Sequence, residues 1–301
     1  MHPPLFDGFE TLDVDVGETT SFARRKGRGP PVLLLHGFPE THLMWHRVAP
    51  VLAEELTVVC PDLRGYGASG KPASTADHAP YAKRAMARDL VALMRVLGFE
   101  RFSICGHDRG GRVAYRLALD YPERVDRLAV LDIVPTLEAI RRTDARLALS
   151  FWPWWLLAQP LPLPERLILG DPEAVVEDAV RQWGTDASSF PSAIRAAYTN
   201  ALRDPAAVHA ICEEYRAAAT LDVAHDAADR DAGRRIVCPT LVLWARASGL
   251  DEWYDDAGGP LGIWHAWADD VTGCAIDGGH FFPEQAHVET IAALRAFIPL
   301  A

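Results

Sequence analysis

Short apolar runs, several rich in β-branched residues, alternate along this chain with longer segments in which apolar residues recur at helical spacing. The runs are 31–35 (PVLLL), 56–60 (LTVVC), 102–105 (FSIC), 128–131 (LAVL), 240–244 (TLVLW) and 273–276. The helical segments include 81–97, where Met86, Leu90, Leu93, Met94 and Leu97 fall on one face, together with 111–120 and 288–297. Continuous apolar strands separated by helices predict a mostly parallel sheet covered on both faces, an α/β fold.

The alternation stops after Asp132. From about 135 to 233 no strand-like run occurs, and the stretch is rich in Ala, Leu, Trp and Arg with breaks at Pro153, Pro160, Pro162 and Pro164. It reads as a helical insertion, with strand signals resuming at Ile236. The expected organisation is a core domain from 1–134 and 234–301, with an inserted helical cap domain at 135–233.

Composition narrows the function. The chain has 301 residues, a net charge of −11, 49% hydrophobic and 24% charged residues. That balance excludes a disordered chain. The negative charge and the lack of a basic stripe argue against nucleic-acid binding. No apolar run reaches the roughly 18 residues of a membrane span, and the start MHPPLFDGFE lacks the basic-then-apolar order of a signal peptide. Five scattered cysteines show neither zinc-ligand nor CxxC spacing. The expectation is a cytoplasmic protein with no metal and no cofactor.

The chemistry concentrates at Gly106-His107-Asp108-Arg109-Gly110, between a predicted strand and a predicted helix. This is the G-x-nucleophile-x-G elbow with aspartate in the nucleophile's place. The flanking glycines let strand and helix approach closely, and the helix N-terminus presents N–H groups and a positive dipole end. His36-Gly37-Phe38-Pro39 follows the PVLLL strand, where an oxyanion loop belongs. Asp62-Leu63-Arg64-Gly65-Tyr66-Gly67 forms a tight loop after the next strand. His280, in GGHFFPE after the last run, is the candidate base. Two acids compete to orient it: Asp132, at the end of LAVLD, and Asp251, in the polar loop after TLVLW.

These segments together resemble an α/β-hydrolase with an aspartate nucleophile. Within that fold, HGFPETHLMWHRVAP, HDRGGRVAYRLALDYPERV and LAVLDIVPT resemble the haloacetate dehalogenases, the family containing fluoroacetate dehalogenases. The resemblance implies Asp108 as nucleophile, His280 as base and Asp132 as its acid. It implies an oxyanion hole from the backbone N–H groups of Phe38 and Arg109, and a homodimer. A carboxylate displaces a leaving group from sp³ carbon and leaves an ester, which activated water then cleaves.

Arg109 and Arg112 bear on substrate class. They lie three apart at a helix start, where cations oppose the dipole, and a shared bidentate clamp on a substrate carboxylate would justify the placement. In the resembling family the matching arginines hold the haloacetate carboxylate. Trp154 and Tyr215 match the family's halide-pocket donors. The family's third donor, a histidine before the tryptophan, is replaced here by Pro153, which offers no donor. Chloroacetate and bromoacetate are therefore the expected substrates, with fluoroacetate disfavoured. His107 is expected to be structural and Trp183 to line the access route.

Two other readings compete. An epoxide hydrolase would use the same Asp-His-Asp set, with Tyr215 and Tyr198 protonating the epoxide oxygen; the arginine pair argues against a neutral substrate. A non-catalytic binding protein would have no need of Asp108, Asp132 and His280 together.

Overall fold

The structure, a computed structural model, describes residues 5–184 and 187–299, excepting the side chains of Ala187 and Asp251. Eight strands form one sheet: β1 Glu10–Asp15, β2 Thr20–Lys26, β3 Pro31–Leu35, β4 Thr57–Pro61, β5 Phe102–His107, β6 Val125–Leu131, β7 Thr240–Ala245 and β8 Val271–Ile276. Their order is β1-β2-β4-β3-β5-β6-β7-β8. β1 and β2 pair antiparallel, β2 runs antiparallel to β4, and every other pairing is parallel.

The apolar runs form the buried centre of the sheet. β4, β5 and β7 are buried throughout. Alternation within a strand sends neighbours to opposite faces. Leu33 and Leu35 join Met86, Leu90, Leu93, Val113 and Leu117 on one side. Val32 and Leu34 join Trp45, Leu52, Ile291 and Leu294 on the other. Each fully buried Leu or Val on these faces contributes roughly 1.5–3 kcal/mol.

The structure departs from the sequence reading at four places. The β1–β2 hairpin was not anticipated: ETLDVD and TSFARRK carry charge on a largely exposed edge, so no apolar run marks them. The helix expected over 81–97 is Lys83–Val96, preceded by a 3-10 turn at Ala79–Tyr81, because Ala82 is extended. Ile236 makes only an isolated bridge to Ala268, and β7 begins at Thr240. Residues 250–253, expected in a polar loop, form a short helix.

Between β6 and β7 the described residues form helices and turns only, from Thr136–Arg141 to Val223–Asp231. A π-turn, Ala218–Asp222, brings Asp222 onto the start of the Lys83–Val96 helix, where its carboxylate accepts the Lys83 N–H at 2.9 Å. Arg116, on helix Asp108–Asp120, pairs with Asp226 at 2.9 Å and Asp229 at 2.5 Å. These buried pairs fasten the helical segment to the helices on one face of the sheet. No helix among the described residues is long and apolar enough to cross a membrane.

Candidate active site

The position of Asp108, the candidate nucleophile, is set by close packing. β5 ends at His107 and helix Asp108–Asp120 begins at once, leaving Asp108 at φ 44°. That left-handed backbone is costly for a non-glycine residue and typical of strained functional turns. A Cβ on Gly106 would lie 2.4 Å from the Gly110 carbonyl oxygen, and one on Gly110 would lie 2.4 Å from the His36 carbonyl. The two glycines are thus what allow strand, helix and the loop at 36–39 to meet.

Asp108 is buried, and its Oδ2 accepts the Phe38 N–H at 3.0 Å. Burial pushes its carboxyl up, but His280, Arg109, His107 and Arg112 outweigh it and hold the group below the usual carboxylate range. The loop bearing Phe38 is fixed by His36, whose Nδ1–H donates to the Gly37 carbonyl at 2.9 Å while Nε2 accepts the Leu63 N–H at 3.0 Å. That pattern needs a neutral imidazole, and burial lowers its pKa accordingly. Asp62 ties down the following loop by accepting the His42 and Ala68 N–H groups, each at 2.8 Å.

Asp132 follows β6 with φ 55°. Its Oδ2 meets Nδ1 of His280 at 2.6 Å, and its Oδ1 accepts the Ala245 N–H at 2.8 Å and the Ser248 hydroxyl at 2.9 Å. The side chain of Asp251, the other candidate acid, lies outside the described residues. His280 donates its backbone N–H to the Trp183 carbonyl at 2.7 Å, and its own carbonyl accepts from His107 Nε2 at 2.8 Å. The other nitrogen of His107 faces Glu40 Oε2 at 3.1 Å. Both His107 nitrogens therefore face acceptors. Burial disfavours the cation, Glu40 favours it, and the pKa is raised on balance. His107 thus holds the backbone of His280, consistent with a structural part.

Asp108, Asp132 and His280 line one small cavity of about 30 Å³, with Arg112, Trp154, Phe151, Leu250, Trp253 and Tyr254 among its walls. Arg112 Nη1 donates to the Val134 carbonyl at 3.0 Å and Thr136 Oγ1 at 3.3 Å, while its Nε is buried without a partner. Its guanidinium lies 4.2 Å from the Trp154 ring centroid. Arg109 lies between rings, 4.0 Å from Tyr215 and 5.2 Å from Trp154. Trp154 thus faces the cavity, and Tyr215 packs against Arg109 and edge-on to Phe38 at 5.8 Å. Burial raises the Tyr215 phenol pKa, so it stays a protonated donor.

Four expectations need correcting. Arg109 is not free to form a bidentate fork with substrate: its Nε and Nη2 already hold Glu214 at 2.9 and 2.6 Å, and only the buried Nη1 lacks a partner. Trp183 is packed rather than lining a route, since its indole donates to the Ser150 carbonyl at 2.7 Å and its ring stacks on Phe151 at 5.6 Å. Tyr198 lies away from the cavity and donates to buried Glu284. The segment 250–254 is not a solvated loop, because Leu250, Trp253 and Tyr254 line the cavity. Pro153 is buried at the start of a four-residue helix, Pro153–Leu156, where a fixed φ suits the first turn.

The sequence reading missed Glu214, whose buried carboxylate accepts from Arg109, Lys83 and Tyr66. Among the described residues no group of three or more His, Cys, Asp or Glu is placed to hold a metal ion.

An eight-stranded, mostly parallel sheet with an aspartate elbow at the end of β5 defines a class. The model of the alpha/beta hydrolase fold matches residues 30–284, and the chain belongs to that family. A fluoroacetate dehalogenase from Burkholderia sp is 44% identical over 98% of this chain and 95% of its own length. A soluble epoxide hydrolase from Corynebacterium sp. (strain C12) is 30% identical over 91% and 92%. The crystal structure of a protein from Nostoc sp PCC 7120, described as a putative alpha/beta hydrolase, is 46% identical, covers 97% and 98%, and superposes with a TM-score of 0.93. Within the α/β-hydrolases the chain is thus a hydrolase of the haloacetate dehalogenase family.

Proposed function

We propose that this enzyme hydrolyses short 2-haloacids, with chloroacetate and bromoacetate preferred over fluoroacetate, to 2-hydroxy acids and halide. The observation carrying the reading is that two buried guanidinium groups, Arg112 on the cavity wall and Arg109, each keep one unclaimed nitrogen, Arg112 Nε and Arg109 Nη1, and both act electrostatically on the Asp108 carboxylate. Buried donors of this kind are costly unless a ligand satisfies them. A carboxylate is the ligand they suit.

In the proposed course the substrate carboxylate bonds to these donors. An Asp108 oxygen attacks the α-carbon, the carbon–halogen bond breaks, and halide departs with the electron pair toward Trp154 and Tyr215. His280, oriented by Asp132, takes a proton from water, and the oxygen attacks the ester carbonyl carbon of Asp108. The Phe38 and Arg109 N–H groups stabilise the oxyanion. Collapse breaks the Asp108 ester C–O bond, His280 returns its proton to the departing alkoxide to give glycolate in the chloroacetate case, and the hydroxyl proton left on Asp108 passes to solvent, restoring the carboxylate with one oxygen drawn from water. The helices between β6 and β7 act as a cap over the cavity.

Epoxide opening would need a tyrosine pair. Tyr198 is engaged by Glu284, which leaves Tyr215 and the cavity-lining Tyr254; the unclaimed guanidinium groups favour an anionic substrate over a neutral epoxide. Chloride release from chloroacetate, set beside diol release from styrene oxide, tests the proposal; diol release without chloride release overturns it.

A further inference from the structure

The site poses an electrostatic problem. A buried carboxylate next to two buried guanidiniums ordinarily closes into a bidentate ion pair with N–O distances of about 2.7–2.9 Å. Such a pair would occupy the lone pairs that a nucleophile needs. Yet among the described ion pairs none joins Asp108 to Arg109 or to Arg112. Asp108 accepts the Phe38 N–H instead, and each arginine is anchored elsewhere.

For Arg112 the anchors are the neutral oxygens of Val134 and Thr136. For Arg109 the anchor is a second buried carboxylate. Glu214 is fully buried and accepts Arg109 Nε at 2.9 Å on both oxygens and Nη2 at 2.6 Å on Oε1. It also accepts from Lys83 Nζ and from the Tyr66 hydroxyl at 3.3 Å. Its donors come from three places: helix Asp108–Asp120, helix Lys83–Val96 and the loop at 62–67. Glu214 is therefore fixed independently of Arg109. The flanking rings of Tyr215 and Trp154 restrict the guanidinium faces.

We propose that Glu214 is a positioning residue: it holds the Arg109 fork away from Asp108 and leaves Nη1 as the end offered to the substrate. This rests on the reading above of Asp108 as the nucleophile. Removing the Glu214 charge leaves Asp108 as the ionised carboxylate most open to Arg109, so capture of the nucleophile follows. The defect then lies in ester formation and depends on Arg109 being present.

A double-mutant cycle isolates that dependence. In a His280→Ala background, mass spectrometry after chloroacetate addition follows the ester on Asp108. Glu214→Gln is expected to slow its formation by about tenfold or more, and Glu214→Asp by less, because its shorter side chain keeps the charge. In a background that also carries Arg109→Gln, Glu214→Gln is expected to change the rate by less than about twofold. Equal slowing in both backgrounds, or no slowing in either, overturns the proposal. If Glu214→Gln fails to fold, the same comparison is made with Glu214→Asp, whose slowing must vanish with Arg109→Gln. An absence of ester even with Glu214 and Arg109 intact refutes the aspartyl-ester reading itself and takes this proposal with it. Ester formation indifferent to Glu214 refutes only the proposal.

Discussion

A Cβ built on Gly37 would stand 2.6 Å from the Cβ of Asp108. The loop bearing Phe38 and the proposed nucleophile Asp108 are thus in contact through a position that tolerates only hydrogen. Gly37→Ala must displace either Asp108 or the Phe38 N–H. The expected result is a loss of chloroacetate turnover of about a hundredfold, on the scale of a removed oxyanion donor. Overpacking at such a site costs about 1–3 kcal/mol of stability. Chloride-release kinetics and a thermal melt of the same preparation check both.

The arginine pair makes a second prediction. Arg109→Lys and Arg112→Lys keep the charge and lose the planar fork. Each is expected to lower kcat/KM for chloroacetate by about two orders of magnitude, about 2.7 kcal/mol. Arg109→Lys carries the added consequence that Glu214 loses a matched partner. Near-native kcat/KM in both variants would remove the pair from the carboxylate site.

Pro153 makes a third. Fluoride departs only with strong donors around it, and one preorganised donor is worth about 2.7–4 kcal/mol. The native enzyme is expected to release fluoride from fluoroacetate far more slowly than chloride from chloroacetate. Pro153→His is expected to narrow that ratio. Fluoride- and chloride-selective electrodes on the two proteins give the comparison, and equal native rates would contradict it.

The titration of Asp108 makes a fourth. Burial raises its pKa, and electrostatic attraction to His280, Arg109, His107 and Arg112 more than reverses that rise. A depressed carboxyl pKa means that the nucleophile is ionised above the lowered value and lost only as pH falls through it. The first-turnover burst of chloride is therefore expected to stay level from about pH 8 down to about pH 5, at or above the ordinary carboxylate range. Quenched-flow halide measurement reads it, and a burst that fades with an apparent pKa above 5 would show that burial wins.

The parts of the site that sequence pattern could reach are those carried by local rules. The elbow at Asp108 is written in Gly106 and Gly110, and Asp132 and His280 stand where a strand ends and a loop begins. The inner strands β3 to β7 are apolar because both their faces are covered. β1 and β2 lack that signature, since an edge hairpin keeps a charged face in water. Glu214 was illegible for another reason. Glu213 and Glu214 are adjacent and chemically alike, and only their helix faces differ. Glu213 meets Ser74, His78 and Arg216, whereas Glu214 meets Arg109, 105 residues away in sequence. Trp253 and Tyr254 were misjudged because the acids around them suggested solvent.

Asp108 and Asp132 lie at the ends of neighbouring strands, and the helical segment leaves the sheet only after both and returns before β7. A transplant of that segment from a relative would therefore replace the wall bearing Trp154 while leaving both carboxylates on native backbone. It would also import whatever residue stands at position 214. A donor sequence without an acid there would deliver a new pocket above an untethered Arg109. Chimeras of this scaffold are thus best cut so that Glu214 travels with Lys83 and Arg109, as one inherited unit rather than three separate choices.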